Sequence, residues 1–337
     1  MIPLITTIWQ TQSWQQQMQQ MIRDPEQLFK RLGLDIAARP ELIGALKQFP
    51  LRATEAFIAK MQPGNWNDPL LLQVLPQAQE TEPQPNFIDD PLAELDANPA
   101  PGLIHKYRGR VLLITSSACA VHCRYCFRRN FPYSDNNPSQ KDWQQALDYI
   151  AEHPEIHEVI LSGGDPLATS DDYLDKLIGR IANIPHVETL RIHTRLPLVL
   201  PARITPDLIK VLTKHRLHTV MVIHCNHANE LDDTSTDALK SLRDANIHLL
   251  NQTVLLKGIN DRAEILIKLS RRLFETGVMP YYLHVLDKVR GASHFDVPES
   301  TAQTLMREVL ASLPGYLVPR LVREDPHASS KRPLALL

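Results

Sequence analysis

Several absences narrow the field before any motif is read. No apolar run approaches the roughly 20 residues of a membrane-spanning helix. The first 22 residues carry no charged side chain, and seven of residues 10–20 are Gln. The basic start of a secretory signal is therefore missing, and "IPLI" is too short for its apolar core. The expected location is the cytoplasm. Net charge is nearly absent: 36 Lys and Arg against 38 Asp and Glu leave −2, which gives no reason to expect nucleic acid as a partner. No internal repeat is visible. Cysteine is scarce too, at 4 in 337 residues, three of them clustered. That argues against a disulfide framework and for a reducing compartment. What remains is 43% hydrophobic and 22% charged, an ordinary soluble composition with enough chain for one large domain or two modest ones.

Residues 1–75 read as helical. "DPEQLFKRLGL" and "ATEAFIAKMQ" repeat apolar residues at three- and four-residue intervals. Prolines at 76, 83, 85, 91, 99 and 101 then mark an extended connection over 76–104, because proline fixes φ and removes a donor. A regular alternation follows over 105–314. β-Branched runs occur at 110–116, 158–163, 189–194, 219–225, 248–256 and 281–287, separated by helix-like stretches. Between them, Leu174, Leu177, Ile178 and Ile181 form one helix face. Strands alternating with helices imply βαβ units and a parallel sheet covered on both faces. Six such units make an open sheet or a partial barrel. The unusual polar residues cluster just after the strands, where parallel α/β folds collect their chemistry, and this favours the barrel. A last apolar segment, "GYLVPRLVRE", leads into a short tail within 315–337.

The cysteines stand in "CAVHCRYCFRR", at 119, 123 and 126. A structural zinc site takes four ligands, commonly two C-x-x-C pairs, and here there is no second pair. A ferredoxin-type cluster takes four thiolates. Cys225 is about a hundred residues away and lacks flanking residues like a ligand loop. Three thiolates on a four-iron cluster would leave one iron open to a ligand, as a catalytic centre requires. Three buried free thiols are the plainer alternative. Cys225 itself reads as packing.

C-x3-C-x2-C in a loop after the first strand of a βα repeat resembles the radical S-adenosylmethionine superfamily. "HKYRGRVLLI", "CRYCFRR", "LSGGDPL", "RLPLVLPARIT", "NQTVLLKGIND" and "PYYLHVLDKVRGASHF" resemble the lysine 2,3-aminomutase family, and "NDPLLLQVLP" extends the likeness upstream. It spans roughly residues 64–333. The short chain is most similar to the branch that makes (R)-β-lysine for modification of elongation factor P. The implied fold is α/β: a partial (βα)6 TIM-type barrel of the radical S-adenosylmethionine type, with an N-terminal helical region and a short C-terminal tail.

The resemblance also assigns roles. Cys119, Cys123 and Cys126 would hold a [4Fe–4S] cluster whose open iron chelates S-adenosylmethionine, and an electron from the cluster would release a 5′-deoxyadenosyl radical. Gly163, Gly164 and Asp165 match the segment that binds the amino group of S-adenosylmethionine; read alone, Gly-Gly-Asp is a turn. Lys331 in "HASSKRP" occupies the position of the lysine that carries pyridoxal phosphate, although the clostridial-type enzymes have a run of glycines before it. Without the resemblance it is a solvated tail residue. Arg128 matches the arginine that grips the substrate carboxylate, which a planar guanidinium can hold with two bonds. Asp287 and Glu324 match two acids that bracket the distal ammonium of lysine. The family usually has Asp where Glu324 stands. Two acids there argue against glutamate as substrate. His224 and His227 read as satisfied barrel-mouth histidines.

The implied reaction moves an amino group from Cα to Cβ of L-lysine. It requires breaking an unactivated C–H bond, which no acid or base side chain reaches at neutral pH. An electron donor is implied, as is an indirect link to elongation factor P through a ligase that attaches β-lysine. A radical aminomutase acting on another amino acid is the alternative. Neither nucleic acid nor a membrane is expected as a partner.

Overall fold

The structure, a computed structural model, describes residues 8–42, 49–136 and 142–336. The "IPLI" run and parts of the N-terminal and barrel regions, at 43–48 and 137–141, lie outside the described residues.

Local signals explain the first elements. Asp24 caps the helix Pro25–Leu32, Pro25 opens it, and Gly33 ends it in the left-handed region at φ 60°. The apolar periodicity of 53–62 yields only one helical turn, Glu55–Ile58, capped by Thr54. Pro63 and Gly64, the latter at φ 73°, stop it from extending. Leu28, Phe57, Leu70 and Leu71 from this region share one apolar core with Leu161, Leu190 and Met221 of the barrel.

Among the described residues, nine strands follow one another in chain order around a single sheet. Strand β1 (Leu103–Tyr107) runs antiparallel to β2 (Arg110–Ser116). Then β3 (Glu158–Gly163), β4 (Thr189–Thr194), β5 (His218–His224), β6 (His248–Val254), β7 (Met279–His284) and β8 (Arg320–Arg323) continue parallel to β2. Short β9 (Arg332–Pro333) turns back antiparallel on β8. Helices Asp142–Glu152, Asp171–Ala182, Pro206–Thr213, Asp233–Asp244, Ala263–Glu275 and Glu299–Ser312 fill the six crossovers. The fold is the expected partial TIM-type barrel. "GYLVPRLVRE" differs from the reading as a plain approach to the tail. It forms β8, a seventh parallel strand, because Leu321 and Val322 find a buried place beside β7.

The proline-rich connection also carries more than its prolines suggest. It contains two 3-10 turns, and its Ile88 bridges to Val289. It delivers two carboxylates, Glu80 and Glu94, into buried positions.

Candidate active site

The strands' carboxyl ends open onto a cavity of about 410 Å³, and every residue nominated from the sequence lines it. Cys119, Cys123 and Cys126 line it together with the turn Gly163, Gly164 and Asp165 that hydrogen-bonds to their loop. Asp287 lines it with its neighbours Glu324 and Lys331, and Arg128 lines the wall.

The cysteine loop follows β2 and is tied down from several sides. The Arg124 amide donates to the Gln73 carbonyl at 2.9 Å, and Arg52 donates to the Cys119 carbonyl at 3.2 Å. Burial raises the Cys119 thiol well above its ordinary value; burial and neighbouring Cys123 push Cys126 up to about 11. Among the described residues, no three His, Cys, Asp or Glu side chains gather closely enough to hold a single metal ion. Three thiolates that each bind a different iron of one cluster need no such convergence. Cys225 is fully buried, donates to the His227 carbonyl at 3.4 Å and does not line the cavity. It is packing, as expected, and no fourth thiol faces the loop from there. The donor set thus fits a cluster with one open iron.

The glycines of "SGGDP" are required by their contacts. A Cβ on Gly163 would lie 2.5 Å from the Ser116 carbonyl oxygen, and one on Gly164 2.5 Å from that of Ala118. The Gly164 and Asp165 amides donate to those same two carbonyls at 2.6 and 2.8 Å. This turn is therefore zipped to the cysteine loop itself. The Asp165 carboxylate anchors the end of β4: it accepts from the Thr194 hydroxyl at 2.7 and 2.9 Å and from the Arg195 amide at 2.8 Å. Burial pushes its pKa up to about 6 against those donors.

Glu324 lies between two lysines. One oxygen accepts from Lys106 at 2.8 Å and the other from Lys331. Burial would raise its pKa; Lys331 and Lys106 more than offset this and hold it well below the usual carboxylate range. Asp287 has no ion pair among the described residues. Burial first, and then nearby Glu324, push it up to about 7. The Arg128 guanidinium forms a two-bond fork with Glu94, both at 2.7 Å, and donates to Ser162 at 3.0 Å. A guanidinium has five N–H donors, so two remain for a further acceptor.

Several lining residues carry no functional signal in the sequence: Lys106, Tyr107 and Arg110 in "HKYRGRVLLI", and Glu94 in the proline-rich connection. Arg191, Tyr281 and Tyr282 also line the cavity. His193, His224 and His284 line the cavity, each with a buried Nε2 that has no partner among the described residues. Burial and Arg195 push His224 down to about 3, so it is neutral. Only a paired arrangement across strands, invisible in one strand's sequence, brings these together.

A partial parallel barrel with three thiols on the loop after its first parallel strand defines a radical S-adenosylmethionine protein. Residues 113–269 match the Radical SAM superfamily. The SuiB protein of Streptococcus suis, solved bound to S-adenosylmethionine, shares the fold at TM-score 0.50 and 18% identity, over 65% of this chain and 51% of that one. Relatives called L-lysine 2,3-aminomutase are much closer in sequence. Those of Escherichia coli and Haemophilus influenzae are each 49% identical over 96% of this chain and 95% or 96% of their own. That of Clostridium subterminale is 36% identical over 95% of this chain and 77% of its own. The chain belongs to the L-lysine 2,3-aminomutase family, a family of isomerases. Membership in the superfamily brings a [4Fe–4S] cluster and S-adenosylmethionine as cofactors. Among the described residues, no helix is long and apolar enough to cross a membrane.

Proposed function

We propose that the chain converts L-lysine to β-lysine, as its relatives' name describes, and that Cys119, Cys123 and Cys126 hold the cluster. The observation that carries this is the lining of one cavity, which brings the three thiols, the acids Asp287 and Glu324, and Lys331 together. Lysine 2,3-aminomutases also use pyridoxal phosphate, which stabilises a radical beside the migrating nitrogen. Lys331 would carry it. Arg110, Arg191 and the Tyr107 hydroxyl on the adjoining wall suit a phosphate ester.

The protein's part is orientation. Arg128 takes the substrate carboxylate on its two free N–H groups while Glu94 holds the guanidinium plane. Asp287 takes the distal ammonium. Glu324, already between Lys106 and Lys331, supports the charge at that end. Gly163, Gly164 and Asp165 would hold the amino group of S-adenosylmethionine. The neutral histidines offer nitrogen partners to bound ligands without adding charge. The barrel wall keeps water from the reacting carbons.

The product is the (R) form, made for modification of elongation factor P by a separate ligase, and the enzyme works in the cytoplasm with a one-electron donor. These finer points rest on the branch resemblance.

The test is anaerobic. Protein reconstituted with iron, sulfide and pyridoxal phosphate is reduced and given S-adenosylmethionine with L-lysine. Chiral derivatisation and mass spectrometry follow β-lysine, with Lys331→Ala alongside. (R)-β-Lysine from the wild type only is expected. Deoxyadenosine without β-lysine would move the reading to another amino acid. Neither product, from protein with a full cluster, would overturn it.

A further inference from the structure

Arg195, the first residue past β4, sits in a buried network that the proposed reaction leaves without a role. Its side chain is 6% exposed and that of its partner Glu230 0%. Nη2 donates to Glu230 at 2.9 Å and to Gln73 at 2.6 Å. Glu230 also accepts from the Asn226 and His227 amides at 2.9 and 3.1 Å. The guanidinium carbon stands 5.2 Å from the Phe57 ring centroid. The N-terminal region (Phe57 and Gln73) and the segment after β5 (Glu230) thus fix one cation in place.

Its remaining arm points at the cysteine loop. Nη1 donates to the Cys123 sulfur at 2.8 Å. Among the described residues, no other cationic side chain donates to one of the three loop thiols. The Arg195 amide is meanwhile held by Asp165 at 2.8 Å, so one residue joins the glycine turn to a cysteine ligand.

We infer that Arg195 is a positioning residue that holds Cys123 and raises the reduction potential of the cluster. Reduction adds an electron whose charge spreads onto the ligand sulfurs. An N–H donor and a positive charge at one sulfur stabilise the reduced form more than the oxidised form. Glu230 offsets much of the charge at a distance, so the direct hydrogen bond carries the local effect. The consequence is a cluster more easily reduced by its one-electron donor. The inference rests on the three thiols holding a four-iron cluster, and iron and sulfide analysis decides that point first.

The experiment uses full-length protein reconstituted anaerobically, titrated with dithionite and mediator dyes, with the reduced cluster followed by electron paramagnetic resonance. The main variant is the double substitution Arg195→Met with Glu230→Gln. It removes the donor without leaving a buried charge unpaired, an exchange that folds tolerate well. Arg195→Lys, which keeps the charge but not the fork, is measured beside it. With full iron content and no S-adenosylmethionine present, the double variant's midpoint should move to a more negative potential, and the lysine variant's by less. An unchanged midpoint in the double variant would overturn the inference. A shift that appears only after adding S-adenosylmethionine would overturn it too, assigning Arg195 to that ligand. Wild-type protein that holds no four-iron cluster would instead overturn the underlying reading of the thiols.

Discussion

Lys106 on edge strand β1 and Glu324, between β8 and edge strand β9, meet at 2.8 Å, so an ion pair bridges the two edges of the open barrel. Both side chains are mostly buried, at 9% and 12% exposure. Lys106 also donates to the Leu92 carbonyl at 3.0 Å. Lys106→Met removes both bonds and leaves Glu324 with Lys331 as its cation. The expected cost is about 1–3 kcal/mol of stability, read by denaturant unfolding. Unfolding at the wild-type midpoint would show that the pair closes nothing.

Asp287 gives a pH dependence with a definite sign. Its pKa is raised to about 7 in the fold, while a free Asp titrates near ~3.9. Between these values the folded chain holds a proton that the unfolded chain has lost, so Asp287 progressively costs stability as pH rises towards 7. Asp287→Asn abolishes that cost. In denaturant unfolding at pH 8, ligand-free Asp287→Asn protein should be more stable than wild type by about 4 kcal/mol, and the gap should close as pH falls towards about 4. Lysine binding should respond in the opposite way. Wild-type affinity, measured on cofactor-loaded protein without reductant, should rise as pH passes through about 7 and the carboxylate ionises. The variant should show a flat and weaker profile. A wild-type profile flat over this range would remove Asp287 from ammonium recognition.

Gly164 tests the zip between the glycine turn and the cysteine loop. Its missing Cβ is what lets the turn lie on Ala118, and the atom in the way is backbone, which cannot rotate aside. Gly164→Ala should cost about 1–3 kcal/mol by overpacking and lower the iron retained after reconstitution. Full iron content with unchanged melting would show that the loop gives way freely.

How much of this could be read from the sequence depended on whether the signal was local. The six βα units follow from apolar periodicity, and the cysteine spacing is contained within one loop. Strand β8 was hidden because Arg320–Arg323 is only four residues long and is defined by its neighbour β7 rather than by its own pattern. The helix at Glu55–Ile58 is shorter than its periodicity suggested because Pro63 and Gly64 intervene. Lys331 looked like a tail residue, and its place beside Glu324 depends on β9 folding back on β8. Glu80 and Glu94 gave no signal at all. In a proline-rich stretch an acid reads as a solvated side chain, and only the arginines of the cysteine loop, dozens of residues on, make it otherwise.

Glu80 therefore carries the sharpest prediction about that connection. It accepts from Arg124 Nε and Arg129 Nη2 at 2.9 and 3.0 Å, and these arginines flank Cys126 in the chain. Both guanidinium groups also lie 4.6 Å from the Phe49 ring centroid. The Arg124 and Glu80 side chains are 0% and 1% exposed, so no water can replace the carboxylate's charge. Glu80→Gln would leave two buried cations facing a neutral amide. Breaking a buried pair from one side costs about 3–5 kcal/mol. Urea unfolding should show a loss of that size, and the reconstituted cluster should bleach faster in air because its loop has loosened. Adding Arg129→Met to Glu80→Gln should recover part of the stability, since one of the unmatched charges is then gone. A double variant weaker than Glu80→Gln alone would mean that Arg129 is held by the Arg124 and Gly291 carbonyls it also donates to, at 3.2 Å each, and not by Glu80.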